Sequence, residues 1–321
     1  MKVFIDGRWG TTGLQLEGRL GRRGDVEILD IDSEMRKDRA VKADVMRQAD
    51  VIFLCLPDDE ARASVKLAPK DALIIDASTA HRIDLAWAYG FPELSQVHRE
   101  AIAGSRRISV PGCHACGFNA VVYPLVAGGL LPASACVNCT SLTGYSGGGR
   151  GLIEIYEKER AGRENPLYAP RPYALELTHK HLPEMKVVSG LDHPPHFYPV
   201  VGDMAQGMLV SVHLWANQFA NVVTPRELYE FLADHYRDSH FIRVVPGYDL
   251  EGSYEHSRGL DNGFLDPTAC NGTNYMDLFV FGREEQFLLM ARLDNLGKGA
   301  SGAAVQCMNI ACSLDERTDL E

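Results

Sequence analysis

No run of apolar residues in this chain approaches the about 20 needed to cross a bilayer, and the opening MKVFIDGRWG lacks the uninterrupted hydrophobic stretch of a secretion signal. We therefore expect a cytoplasmic protein with no membrane partner. Positive charge is short: 32 Lys and Arg stand against 43 Asp and Glu, a net −11. Such a surface repels phosphate backbones, so nucleic acid is not expected as a partner. Cysteine is sparse too. Eight in 321 residues are too few for a disulfide scaffold, and a reducing compartment keeps them as thiols. For the same reason the sequons at Asn138 and Asn271 are expected to be unused. Internal repeats and low-complexity tracts are lacking, and 45% hydrophobic with 23% charged residues is an ordinary globular composition.

The length predicts two domains. In the first hundred residues, continuously apolar strand candidates (KVFID from Lys2, VEILDID from Val26, DVIFLCL from Asp50, ALIIDAS from Ala72, ISVPG from Ile108) alternate with amphipathic helix candidates. This predicts a doubly wound α/β domain, its parallel sheet covered on both faces. After Cys113 the texture changes. A helical GFNAVVYPLVAGGLL precedes a strand, CVNCTSLTG, and then a Gly-, Arg- and Pro-rich loop from Tyr145 to about Pro172. Longer β-type runs follow, from Met208, Phe241, Tyr275 and Gln286, with a helix from Thr224. The second domain therefore reads as α+β with a largely antiparallel sheet. The expected division is 1–112, joined by a C-terminal helical segment 296–321, and 113–295.

Gly7, Gly10 and Gly13 in DGRWGTTG follow the first strand and open the first helix. Glycine there lets the backbone turn tightly and approach a pyrophosphate, whose charge meets free N–H groups and the positive end of the helix dipole. The spacing G-x-x-G-x-x-G departs from the commoner G-x-G-x-x-G, so the strand–turn–helix context carries the reading. Beyond the second strand, VEILDIDSEMRKDR offers acids suited to a ribose 2′-hydroxyl (Asp30, Asp32) and a cluster suited to a 2′-phosphate (Ser33, Arg36, Lys37, Arg39).

In SVPGCHACGF, Cys113 and Cys116 form a C-x-x-C, and Cys136 and Cys139 form another at zinc-ribbon spacing. Against zinc, CVNCTSLTG reads as a strand, and residues three apart on a strand point to opposite faces. Against a redox dithiol, the motif stands at the end of a doubly wound domain. The third reading is a single nucleophile: Cys113 follows a strand and a Pro-Gly turn and opens a helix, whose N–H groups and dipole favour the thiolate. Cys116, one turn inward, is then a small hydrophobe. The candidate proton partners are His179 and His181 in LTHKHLPEM, with Glu184 beyond.

With these residues in place, the chain resembles the N-acetyl-γ-glutamyl-phosphate reductases in their shorter form, within the aspartate-semialdehyde dehydrogenase superfamily. The resemblance runs nearly end to end. It is carried by IDGRWGTTGLQ, DVIFLCLPDDEA, DASTAHR, YGFPEL, VPGCHACGF, GYSGGGR, HKHLPEM, LVSVHL, CNGTNYMDLFVFG and DNLGKGASGAAVQCMNI. It implies an NADPH-dependent reduction, in arginine biosynthesis, of N-acetyl-glutamyl 5-phosphate to the 5-semialdehyde plus phosphate, through a cysteine thioester. Cys113 matches the nucleophile and His181 the acid/base. Gly7, Gly10, Thr11, Thr12 and Gly13 match the pyrophosphate turn, with Ser78 of DASTAHR in the cofactor set and Asn295 and Lys298 beside the nicotinamide. A family that uses NADPH favours Ser33 and Arg36 as 2′-phosphate partners, with NAD(H) kept open by Asp30 and Asp32.

An acyl phosphate needs local cations in an acidic protein, for which Arg82 and Arg150, with Ser146 and its glycines, are the candidates. No metal is expected, and the implied partners are the small-molecule acyl phosphate and further copies of the chain, as a homodimer or homotetramer. The commoner PGCYPT reads PGCHAC here, which places a second thiol near the nucleophile and opens an oxidative trap through a Cys113–Cys116 disulfide. The rivals are a reductase of another acyl phosphate (aspartyl or lysine-pathway), a zinc-binding module built on Cys113, Cys116, Cys136 and Cys139, and a non-catalytic NAD(P) sensor.

Overall fold

The apolar runs near the N-terminus fold as a parallel sheet in this computed structural model, which describes residues 1–32, 34–160, 167–246, 260 and 263–320. In chain order come β1 (Lys2–Asp6), α1 (Thr11–Leu20), β2 (Glu27–Leu29), α2 (Arg39–Met46), β3 (Val51–Leu54), α3 (Asp58–Leu67), β4 (Leu73–Asp76), β5 (Ala88–Tyr89), α4 (Gln96–Gly104) and β6 (Arg107–Ser109). The strands lie side by side as β2-β1-β3-β4-β6-β5, each pair parallel. Every residue of β3 and β4 is buried, as a sheet covered on both faces requires. Phe4, Ile52, Leu54 and Ile74 pack with Met46 and Ala61 in one apolar cluster. Polar side chains cap the starts of α2 and α4: Asp38 accepts from the N–H groups of Ala40 and Val41, and Ser95 accepts from His98.

From Cys113 the chain builds a second unit, Cys113–Gly299. Its elements are α5 (Cys113–Ala127), β7 (Asn138–Gly144), α6 (Gly149–Arg160), β8 (Arg171–Pro172), α7 (Leu182–Ser189), β9 (His196–Gly202), β10 (Met208–Trp215), α8 (Pro225–His235), β11 (Ile242–Pro246), β12 (Met276–Arg283) and β13 (Gln286–Leu293). The sheet runs β11-β12-β13-β10-β7-β9-β8. Its β10–β13, β10–β7, β12–β13 and β8–β9 pairs are antiparallel, and its β11–β12 and β7–β9 pairs parallel. Pro124 lies inside α5 and has no N–H to donate to the carbonyl of Ala120, so one bond of the helical ladder is missing. The hydroxyl of Tyr236 donates to that carbonyl instead, at 2.7 Å.

After a short π-helical stretch, Gly297–Ser301, the chain rejoins the first unit at Ala300 rather than at the expected 296 and forms α9 (Gly302–Ala311). There Gln306 donates to Glu93 at 2.8 Å, Cys307 donates to the Gly90 carbonyl, and Asn309 accepts from Arg23 at 2.7 Å.

The expected α/β and α+β texture is what the chain adopts, with one correction. The stretch from Tyr145 to Pro172, read as a loop, contains α6. Gly149 turns the chain at φ 74°, and the amphipathic RGLIEIYEKER then propagates a helix. The elements β9 and α7 were also not foreseen, although Pro183 near the start of α7 and left-handed Gly190 just past its end are ordinary helix boundaries.

Candidate active site

In the first unit, the turn after β1 is built on backbone proximity. Gly7 has φ 88°, and a Cβ there would lie 2.2 Å from the Cys55 carbonyl oxygen. A Cβ on Gly13 would lie 2.4 Å from the Gly7 oxygen. Only glycine fits either place. Gly10 donates to the Gly7 carbonyl at 3.0 Å and caps α1 with no side chain of its own, and no acidic residue occupies the first turn. The helix therefore presents its positive end and unfilled space, which suits a phosphate. Thr11 and Thr12 begin α1 and are half-buried.

Beside this turn lies a cavity of about 580 Å3, lined among others by Gly7, Gly10, Asp30, Arg36 and Arg39. Ser33 lies outside the described residues. Ser78 sits in the turn after β4, where its hydroxyl donates to Asp76 at 2.7 Å and accepts from the Ala80 N–H. Arg82 donates to the carbonyls of Val110 (2.9 Å) and Ala77 (3.0 Å), so its guanidinium ties down the backbone just ahead of Pro111 and Gly112.

In the second unit, Cys113 is the first residue of α5 and half-buried, while Cys116 is fully buried and donates to the Lys298 carbonyl. Cys136 is exposed ahead of β7, and Cys139 is buried within it, where loss of solvation pushes its thiol well up. Among the described residues no group of three or more His, Cys, Asp or Glu comes together as a metal site. The four cysteines of the zinc-module reading, Cys113, Cys116, Cys136 and Cys139, are thus not brought together in a group of three or more.

Around the start of α5 the unit gathers three histidines. His181, 4% exposed, immediately precedes α7. Its backbone N–H donates to Nδ1 of His179 at 3.1 Å, which makes that nitrogen an acceptor. The two rings lie 4.8 Å apart, edge to face. The third, His114, sits 5.5 Å from the His181 ring and 5.3 Å from that of His179. Its Nδ1 is 2.7 Å from Ser141 Oγ and its Nε2 2.8 Å from the Tyr173 hydroxyl. Burial, with His179 and Lys180 adding to it, pushes His114 down to about 3; burial and Lys180 push His179 down to about 4. Both rings are therefore neutral near pH 7. Burial and the charge of Cys113 push the Tyr173 phenol up, so it remains a donor. The reading from sequence passed over His114 and Tyr173. The signal for His114 was its place one residue inside a buried helix.

Asn295, 2% exposed, donates to Ser146 Oγ at 2.9 Å and accepts from the Gly207 N–H at 3.0 Å. Lys298 is 1% exposed, its ammonium 5.7 Å from the Phe241 ring centre. Gly299, next in the chain after Lys298, lies against the nucleophile candidate: an added Cβ would lie 2.8 Å from Cys113 Cβ. Arg150 is set apart from these residues in burial, being 77% exposed on α6 and paired with Glu154 at 2.7 Å.

Residues 13–105 match the semialdehyde dehydrogenase NAD binding domain family, and residues 113–295 the semialdehyde dehydrogenase dimerisation domain family. The chain is 45% identical to N-acetyl-gamma-glutamyl-phosphate reductase 2 of a Nostoc species, covering 99% of both chains. It is 46% identical to N-acetyl-gamma-glutamyl-phosphate reductase of a Chelativorans species, covering 97% of this chain and 98% of that one. Among solved structures it is similar to aspartate semialdehyde dehydrogenase from Francisella tularensis, with a TM-score of 0.72 over 97% of this chain and 99% of that one. It is likewise similar to that enzyme with NADP from Candida albicans, with a TM-score of 0.63 over 96% and 97%. Both are 14% identical and speak for the fold alone.

Proposed function

Since the chain belongs to the N-acetyl-gamma-glutamyl-phosphate reductases, within the semialdehyde dehydrogenases, we propose that it reduces N-acetyl-γ-glutamyl phosphate to the semialdehyde and phosphate through a thioester on Cys113, as a step of arginine biosynthesis in the reducing cytoplasm. What carries this reading is a half-buried thiol at the first residue of α5 in a unit that also gathers a histidine pair, His181 buried and His179 half-buried.

The N–H groups that open α5 favour the thiolate and the oxyanion that forms next to it. The thiolate adds to the acyl carbon, the bond from that carbon to the phosphate oxygen breaks, and phosphate leaves with its electron pair. A reduced nicotinamide, when bound, would supply the hydride for the thioester carbon, and His181 protonates the resulting oxyanion to a thiohemiacetal on Cys113. On collapse the thiohemiacetal hydroxyl gives its proton to His181 and the C–S bond breaks with its electrons on sulfur, while the one proton that the overall reduction consumes, supplied through His181, leaves on the phosphate. His114 and His179, neutral by burial, hold the pocket without adding charge. Ser146, already accepting from Asn295, keeps its own O–H to donate to substrate. Among the described residues Arg150 pairs with an exposed partner four residues along its helix, Glu154, a pair worth about 0.3–0.5 kcal/mol, and it can turn to the substrate phosphate.

The glycine turn and the cationic edge of the 580 Å3 cavity support a nicotinamide dinucleotide, with Gly7, Gly10, Thr11, Thr12 and Gly13 at the pyrophosphate, Asn295 and Lys298 at the nicotinamide and Arg36 favouring NADP(H). A second concavity, of about 710 Å3, is lined by Trp215, Phe281, Phe287 and Met290 in the second unit and supports assembly as a homodimer or homotetramer. The test is phosphate-dependent reduction of NADP and of NAD by the purified protein with N-acetylglutamate semialdehyde or aspartate semialdehyde. Turnover with the acetylated aldehyde is expected. Turnover with aspartate semialdehyde alone would overturn the substrate assignment.

A further inference from the structure

Asp30 is the first residue after β2 and stands 20 positions beyond Gly10, which is where a doubly wound nucleotide site places the carboxylate that takes a ribose 2′-hydroxyl. A bare carboxylate there repels a 2′-phosphate. Yet Arg36, Lys37 and Arg39 line the same cavity, in which the acids besides Asp30 are Glu60 and Asp6, the latter held by Lys42 at 2.9 Å. The conflict is resolved within the turn. Nη1 of Arg8, one residue past Gly7, lies 2.8 Å from Oδ1 of Asp30. The same oxygen accepts the N–H of Ile31 at 2.8 Å. The Nη2 of Arg8 donates to Glu17 on α1, which anchors the guanidinium from the other side. Arg8 is the more sheltered partner, 23% exposed against 69% for Asp30.

We propose that Arg8 is a determinant of cofactor choice: by holding and neutralising Asp30 it lets this cavity accept a 2′-phosphate. The inference rests on the reading of the cavity as a nicotinamide dinucleotide site. It requires an effect routed through Asp30, which separates it from direct contact between Arg8 and the pyrophosphate.

NADPH and NADH are titrated, by quenching of tryptophan fluorescence, into the full chain as wild type, Arg8→Met, Asp30→Asn and the double variant. Wild type is expected to bind NADPH more tightly. Arg8→Met should weaken NADPH by about tenfold and leave NADH within about threefold, since a bared carboxylate repels only the cofactor carrying the extra phosphate. The double variant should recover NADPH binding to within about threefold of wild type, because no carboxylate remains to be bared. Asp30→Asn alone should leave NADPH affinity within about threefold, since its charge is already compensated, and should weaken NADH. Equal weakening of both cofactors by Arg8→Met, or failure of Asp30→Asn to rescue it, overturns the proposal in favour of a pyrophosphate contact. A rise of tenfold or more in NADPH affinity for Asp30→Asn alone overturns it without reference to Arg8→Met, because the carboxylate would then be uncompensated in wild type. Wild type that binds neither cofactor overturns the dinucleotide reading and this inference with it, whereas wild type that prefers NADPH with no change of preference in Arg8→Met overturns this inference alone.

Discussion

Gly299 holds its backbone against Cys113, so close that an added Cβ would sit 2.8 Å from Cys113 Cβ and 3.3 Å from its Cα. Neither neighbour is a flexible side-chain end, so a methyl group there must move the start of α5. Gly299→Ala should therefore displace the thiol and lower kcat/KM by about 100-fold, the scale of an ångström-level misplacement. The overpacking should also cost about 1–3 kcal/mol of stability. Steady-state kinetics and thermal unfolding check both, with alkylation rates of Cys113 reporting the displacement itself.

Cys116 is buried and donates to the Lys298 carbonyl, a bond that a serine hydroxyl can also make. Cys116→Ser is expected to keep kcat within about threefold of wild type, while Cys113→Ser loses at least about 1,000-fold, as removal of a nucleophile does. A dead Cys116→Ser enzyme with an active Cys113→Ser enzyme would exchange the two roles.

His114 titrates near 6.5 when exposed and is pushed down to about 3 in the fold, chiefly by burial. Between those values the unfolded chain holds the extra proton, so stability is complete above about pH 6.5 and is lost as the pH falls. His179, pushed down to about 4, acts in the same direction. His114→Gln keeps hydrogen-bonding capacity toward Ser141 and Tyr173 but does not ionise. Between about pH 6 and about pH 4.5 its urea midpoint should fall less steeply than that of wild type, by about one proton's worth of slope. Equal slopes would show that His114 is not held neutral.

Tyr236 serves the Ala120 carbonyl that Pro124 leaves without its helical donor. Tyr236→Phe keeps the ring and removes only that hydroxyl. The expected cost is about 1–3 kcal/mol for an unsatisfied buried carbonyl, read from urea unfolding. Replacing Pro124 with Ala in the same background should restore part of it.

The first hundred residues are legible because each parallel strand is a short apolar run, and each connection carries the helical period. The turn at Gly7 and the position of Cys113 are legible for a related reason: both stand where a strand gives way to a helix, and local geometry then dictates the residue type. What hides is whatever depends on distant partners. His114 reads as the neighbour of a cysteine until Ser141 from β7 and Tyr173 from ahead of α7 close on its two nitrogens. Arg8 reads as filler in a glycine turn until Asp30 and Glu17 meet it. Arg82 reads as a substrate cation, and only the structure shows that the carbonyls of Val110 and Ala77 engage its guanidinium. The helix α6 is masked by the glycines that precede it, since composition cannot tell a glycine that turns the chain into a helix from one that keeps it a loop.

The central claim is that the acyl group passes through the sulfur of Cys113. Mixing the protein with N-acetylglutamyl phosphate in the absence of nicotinamide, quenching in acid and mapping the peptides by mass spectrometry tests it directly. The account predicts an N-acetylglutamyl adduct on Cys113, lost on adding the reduced cofactor and missing from Cys113→Ser; acylation at another residue, or turnover with no adduct at Cys113, would contradict it.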